Sequence, residues 1–253
     1  MKLSVITATY NSEKTIRKTI NSILNQTVND IEYIIIDGKS NDSTVQIIKE
    51  YEQDFNKANI SFKWISEKDS GIYDAWNKGL RLSTGEWVSF LGSDDWYVEN
   101  AVEYYQKTIL NTASKLDLVY SNVNLIRNNK VLKNINGTWK WKVFKKYMNI
   151  AHVGAFHNKI YFETYGYFND SYKIAGDYEL LLRAKKELKT MKIEFNSAFM
   201  TDGGVSNDNV ILAFKETLRA KRDTANIPYI VCLYDFMIAW LKNKYRRNFQ
   251  WVK

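Results

Sequence analysis

The chain has 253 residues, 45% hydrophobic and 25% charged, a balance that excludes a disordered or fibrous protein and allows one large α/β domain or a domain with an elaborated tail. A formal charge of +8 and a pI near 9.2 call for an anionic partner, and composition alone does not choose among a nucleotide, an acidic membrane surface and nucleic acid. Cys232 is the single cysteine, so a disulfide scaffold is excluded; with no signal-peptide pattern at Met1–Ile6, the expected location is the cytoplasm.

Lys2 to Ala8 reads as a first strand, after which Asn11 or Ser12 can cap a helix with Ile16, Ile20, Ile23 and Leu24 at helical spacing. Ile31 to Ile36 is a β-branched second strand that ends at Asp37, Gly38, Lys39 and Ser40. A helix follows with Val45, Ile48 and Tyr51 as its inner face. Ser61 to Ser66 is a third strand with Glu67 to Gly71 as its polar exit, Ile72 to Leu82 a short helix, and Glu86 to Leu91 a fourth strand. Four such alternations, each strand ending in polar or acidic residues, predict a parallel sheet with a ligand cleft at the carboxyl ends of its strands.

The fourth strand carries the sharpest signal. Val88 to Gly92 runs straight into Ser93, Asp94 and Asp95. Two adjacent carboxylates at a sheet edge suit a hard divalent cation that in turn holds phosphate oxygens. An Asp-rich helix cap is the competing reading of the same residues.

Val98 to Asn111 is expected to be helical, with Val98, Val102, Tyr105 and Ile109 on one stripe, and Leu116 to Tyr120 returns to the sheet. Val123–Ile126 and Lys130–Leu132 flank Asn128-Asn129, a hairpin turn. Trp139, Trp141, Phe144 and Tyr147 then interleave with Lys140, Lys142, Lys145 and Lys146. That pattern fits either a surface for bases and phosphates or a helix with an aromatic inner face and a solvated basic outer face. Ala151 to Phe156 reads as a strand and Lys159 to Tyr165 as a helix stopped by Gly166. A further helix begins at Gly176-Asp177, with Leu180, Leu181, Ala184 and Leu188 facing inward.

Asp202 to Ser206 reads as a flexible loop in which Gly203 and Gly204 form either a lid or an ordinary turn. Val210 to Ala225 is a basic helix. After Pro228, Tyr229 to Leu241 is apolar except for Asp235, yet too short and interrupted to cross a bilayer. Its flanks carry Lys215, Arg219, Lys221 and Arg222 on one side and Lys242, Lys244, Arg246, Arg247 and Lys253 on the other. They suit a helix lying on an anionic membrane, and equally one docked on the domain or on a second subunit as a homodimer contact.

Four stretches in order, Ser4–Asn11, Ile36–Thr44, Glu67–Gly79 and Gly85–Asp95, together resemble the family 2 glycosyltransferases. Gly166–Asn169 and Ala175–Arg183 continue the resemblance more weakly, and the tail from about residue 190 is poorly covered. The resemblance implies a GT-A fold, an α/β architecture with a mostly parallel central sheet flanked by helices and here a helical C-terminal extension. It divides the chain into a catalytic domain over residues 1–200 and an extension over 201–253. Within the former, about 1–120 would bind the nucleotide sugar and 121–200 the acceptor.

By the same resemblance the protein would be an inverting glycosyltransferase (EC 2.4, hexosyltransferase type) that uses a nucleotide diphosphate sugar, with UDP as the expected carrier. The acceptor would be a lipid-linked saccharide, met at the cytoplasmic face of the membrane in surface-polysaccharide assembly, with no nucleic acid involved. Ala8 and Tyr10 would cradle the base, Tyr10 by stacking, and Asp37 would accept the imide hydrogen of a pyrimidine. Related chains often carry a second Asp where this one has Gly38. Asp69, Asp74, Asn77 and Lys78 would line the ribose and phosphate wall, Asp94 would reach the ribose, and Asp95 would hold Mn²⁺ or Mg²⁺. Asp177 would be the general base, although the carboxylate that precedes it in the family is replaced by Gly176. Each position also has a structural reading: core packing for Tyr10, an Asx turn for Asp37, first-turn or surface charge for Asp74 and Lys78, and a helix cap for Asp177. His152 and His157 are read either as contacts to acceptor or phosphate or as structural residues.

Two other functions compete. A nucleotidyltransferase would also place paired Asp on a parallel sheet, but Thr7 to Asn11 lacks the Gly and Lys of its phosphate loop. A basic nucleic-acid or membrane-binding module would leave the acidic strand ends unexplained, because bare carboxylates repel phosphate.

Overall fold

Strand β2 (Ile31–Asp37) is buried at every position, as expected of a strand covered on both faces. In this computed structural model, which describes residues 1–203 and 209–249, β2 lies between β1 (Leu3–Thr9) and β3 (Ser61–Ser66), and β4 (Trp87–Gly92) pairs with the other side of β1. All four are parallel. Their register aligns Thr9 with Asp37, Asp37 with Ser66 and Ala8 with Gly92, so the strand ends singled out in the sequence meet at one edge.

The sheet then changes direction. β5 (Trp96–Tyr97), β6 (Leu118–Arg127), β7 (Lys130–Ile135), β8 (Ala155–Asn158) and β9 (Thr190–Thr201) extend it in the order β4-β8-β6-β9-β5, with β7 hairpinned onto β6. Asn128 and Asn129 both take positive φ in that hairpin, the conformation a tight turn between strands demands.

Side chains alternate across each strand and so build two cores. Leu3, Val5, Tyr33 and Ile35 face α1 (Ile16–Leu24), α2 (Thr44–Glu50), α3 (Glu52–Lys57) and α5 (Ala101–Leu110). Ile6, Ile34 and Ile36 face α4 (Ile72–Leu82) and, further along the sheet, the layer of α7 (Lys159–Tyr165) and α8 (Gly176–Leu182). Helix α4 lies so close to β1 that a Cβ on Gly79 would stand 2.4 Å from Ile6 Cγ2.

Several expectations are corrected. Residues 190–201, for which the sequence pattern predicts no element, form the twelve-residue β9. β6 is one ten-residue strand where two short ones were expected, and Ala151–Phe156 divides into a 3₁₀ turn at His152–Gly154 followed by β8. The aromatic and basic stretch forms only the single turn α6 (Trp141–Phe144). Its Phe144 is fully buried against Trp139 and Tyr178, which favours the inner-face reading of those aromatics.

The chain closes with α9 (Val210–Asp223) and α10 (Tyr229–Phe249). Ala220 and Ala225 join the core that includes α8, so α9 is packed into the domain. Among the described residues no helix is long and apolar enough to cross a membrane. Gly204, Val205, Ser206 and Lys253 lie outside the described residues, as do the side chains of Arg246 and Arg247.

Candidate active site

The loops leaving β1 and β2 are zipped together by short polar side chains. Asn11 N–H donates to Ser40 Oγ and Asn41 N–H to Asn11 Oδ1, while Ser12 N–H donates to Thr44 Oγ1 and Glu13 N–H to Asp42 Oδ2. Ser12 Oγ also meets Ser93 Oγ at 2.9 Å, which ties these loops to the end of β4. Between them opens a cleft of about 990 Å³, the upper end of the range for small-molecule sites. Ala8, Ser12, Ser93, Asp94, Asp95 and Asp177 line it.

The acidic pair sits on its floor. A Cβ on Gly92 would lie 2.7 Å from Asp95 Oδ2 and 3.1 Å from Asp94 Oδ1, so both carboxylates converge on the space glycine leaves open. Asp95 Oδ1 accepts the Thr201 N–H at 2.8 Å, and Thr201 Oγ1 donates to Asp94 O at 2.6 Å. The end of β9 therefore aims the pair. Burial and the neighbouring charge of Asp94 push Asp95 up to about 8, and burial also raises Asp94.

Across the cleft, Asp177 Oδ1 accepts the Tyr178 N–H at 2.8 Å and the Tyr73 hydroxyl at 3.4 Å. Burial raises its pKa to about 6 against those two bonds. A Cβ on Gly176 would press 2.7 Å from the Tyr73 ring, so a side chain before Asp177 has no room here. Asp177 is held in place from the C-terminal helices. The Glu216 carboxylate on α9 is buried and accepts the N–H groups of Lys173, Ile174 and Ala175, each within 2.9 Å. Glu216→Ala leaves those donors orphaned, at roughly 1–3 kcal/mol for each buried N–H. A lower melting temperature is expected, and parental melting behaviour would dismiss the arrangement.

Tyr10 is 61% exposed and sits between Ala8 and Asn11, which both line the cleft. Beside it, a Cβ on Gly38 would lie 2.6 Å from Asp69 Oδ2 and 3.4 Å from Tyr10 Cδ2. Asp69 thus occupies the space a side chain at position 38 would take, and burial raises its pKa. Four other expected site residues have structural partners in this fold. Asp37 is fully buried, and its oxygens accept Ser40 N–H, Ser40 Oγ–H and Ser66 Oγ–H, the Asx-turn role. Asn77 is turned into the core, where its amide both donates to Phe168 O and accepts from Phe168 N–H. Asp74 accepts the Ser70 N–H, and Lys78 donates to Lys68 O and pairs with Glu67. Those two hold the loop that carries Asp69.

Other groups at the site escape sequence reading. Lys14 and Lys173 bring positive charge to the cleft, the latter donating to Ser70 O at 2.6 Å. A lone lysine in a loop gives no pattern to find. Tyr73 lies inside the Glu67–Gly79 stretch without a motif role of its own, though its ring and hydroxyl border Asp177. His152 lines the cleft and His157 lies under Phe90 in the core. Burial holds His152 well below its usual pKa and His157 at about 3, so both are neutral and neither offers a phosphate positive charge.

Residues 4–174, well over half the chain, match the family described as Glycosyl transferase family 2. The chain belongs to that family. This family 2 glycosyltransferase is 29% identical over 224 residues to a PGL/p-HBAD biosynthesis glycosyltransferase of Mycobacterium tuberculosis, covering 85% of this chain and 83% of the relative. It is likewise 29% identical over 186 residues to the chondroitin synthase of Escherichia coli, covering 72% of this chain but 26% of that larger protein. Staphylococcus aureus TarS 1–349, solved with UDP, superposes with a TM-score of 0.69 at 19% identity, covering 93% of this chain and 70% of that one. The Pyrobaculum calidifontis mannosyltransferase PcManGT, solved with GDP-Man and Mn²⁺, gives 0.60 at 15% identity over 94% of this chain and 73% of that one. At such identities the structures share the fold, which is GT-A. The enzyme is a glycosyltransferase dependent on a nucleotide sugar, EC class 2.4.

Proposed function

We propose that the enzyme moves a sugar from UDP to a hydroxyl of a lipid-linked saccharide, with inversion, in the assembly of a bacterial surface glycan. The observation that carries this reading is the acidic pair and Asp177 lining one cleft at the sheet edge. Tyr10 offers an exposed ring for the base to stack on, and Asp69 stands beside Gly38 to accept an imide N–H. Lys14 and Lys173 offset the charge of the diphosphate.

Asp94 and Asp95 fit a hard cation. They supply adjacent carboxylate oxygens whose burial and mutual repulsion disfavour ionisation until a positive charge arrives. No cluster of three or more His, Cys, Asp or Glu suited to a metal occurs among the described residues, which suits an ion completed by diphosphate oxygens and water. Mn²⁺ or Mg²⁺ held by Asp95, with Asp94 turned to the ribose, would supply Lewis-acid neutralisation of the departing diphosphate.

The acceptor hydroxyl attacks the anomeric carbon from the face opposite the diphosphate. Asp177 Oδ2 takes its proton as the new C–O bond forms and the bond to the phosphate oxygen breaks, so the anomeric centre inverts. A pKa near 6 suits a general base, because Asp177 is then ionised at neutral pH and still basic. TarS has also been solved with UDP-GlcNAc, which supports a uridine carrier. Helix α10 exposes Ile230, Tyr234, Met237 and Leu241 beside Lys242 and Lys244, a face suited to the anionic inner surface of a membrane.

Slow hydrolysis of a panel of nucleotide sugars in Mn²⁺ tests the donor reading without an acceptor. UDP-sugars should be cleaved, and UDP with Mn²⁺ should raise the melting temperature more than either alone. Turnover of only GDP- or dTDP-sugars would refute the uridine assignment.

A further inference from the structure

Behind Asp177 lies a second chamber of about 320 Å³, between α8, α9 and α10. Asp177 lines both this chamber and the cleft, so whatever enters the chamber ends beside the general base. Its walls are largely apolar: Met148 and Ile174 on one side, Phe214 and Leu218 from α9, Phe236 and Ala239 from α10.

Most of the polar groups among them are already engaged, Lys146 and Tyr147 being exposed to solvent. Lys221 is buried and paired with Asp235, Tyr178 donates its hydroxyl to Phe144 O at 2.9 Å, and Thr217 Oγ1 donates to Ala213 O at 2.8 Å. A sugar ring placed there would lose its hydration with few partners in return, whereas an apolar group gains from the same burial. α10 carries the apolar character outward, since it presents Phe236 and Ala239 to the chamber and Ile230, Tyr234 and Met237 to solvent.

We infer that the chamber receives the hydrophobic aglycone of a glycoside acceptor, alkyl or aryl, whose sugar stands at Asp177. The inference rests on the glycosyltransferase reading above and adds where the lipid-side portion of the acceptor is recognised. Recognition is then divided: the cleft reads the donor through polar groups, and the chamber reads the acceptor through apolar area.

Isothermal titration of the full chain with octyl and methyl β-D-glucopyranoside, kept below micelle formation, tests it. The octyl compound should bind at least tenfold more tightly. Ala239→Phe and Ala213→Phe fill the chamber from opposite walls and should each erase that advantage, with retained binding of UDP in Mn²⁺ showing that the protein is folded. Equal affinity for the two glycosides in the parent, or an undiminished octyl preference in both folded variants, would overturn the inference. Failure of the donor reading is seen separately, as absent UDP binding in the parent.

Discussion

Asp177→Asn is expected to keep UDP binding in Mn²⁺ and to lose sugar transfer by about 10²- to 10⁴-fold, the usual worth of a positioned general base. The amide retains the shape of the carboxylate but cannot take the acceptor's proton. In the parent, kcat/KM should be present above and fall tenfold per pH unit below about 6, because burial sets the ionisation of Asp177 there. Stability runs the opposite way. A carboxyl raised above its unfolded value stabilises the fold while protonated, and that contribution is lost as pH rises through about 6. Asp177→Asn carries no such penalty, so its melting temperature should gain on the parent's between pH 5 and pH 8. Transfer at parental rates, or an acid limb retained in the variant, would remove Asp177 as the base.

Asp95→Asn is expected to abolish Mn²⁺-dependent UDP binding and, with it, detectable transfer. The Asn oxygen can still accept the Thr201 N–H, so the end of β9 keeps its anchor and the fold survives. Asp95 is raised to about 8 by burial and by Asp94, which places its destabilising ionisation in the window from about 4 to 8. Without metal, the parent should lose stability as pH climbs through that window, and Mn²⁺ should restore it by favouring the ionised pair. The variant should show a flatter pH profile and no restoration. Melting curves from pH 6 to 9 with and without Mn²⁺ read both effects. An Asp95→Asn protein whose UDP shift still depends on Mn²⁺ would contradict the assignment.

Much of this was legible in the sequence because the informative segments are local. Each of the first four strands is a short apolar run that ends in a polar turn, and β1 to β4 fall where those runs predict them. What escaped depends on long-range contacts. β9 reads Met191, Ile193 and Phe195 in alternation and then loses the pattern at Asn196 and Ser197, where its pairing with β6 shifts register. Its partner lies some seventy residues away, so no local signal announces that Thr201 will position the acidic pair. Asp37 shows the reverse case. The residue is in the expected motif, but its carboxylate turns back onto Ser40 and Ser66, and the group beside Tyr10 is Asp69, thirty-two positions later in the chain. Single-chain reading cannot see that neighbour, because the room for Asp69 comes from a side chain that Gly38 lacks.

Glu216 has a consequence for how such enzymes can be recombined. Its carboxylate, on α9, clasps the backbone immediately ahead of Asp177. The tail and the loop are thus physically coupled. A chimera that borrows another enzyme's last fifty residues must bring along the counterpart of Lys173 to Ala175, or it will gain new acceptor contacts and forfeit the chemistry they were meant to serve.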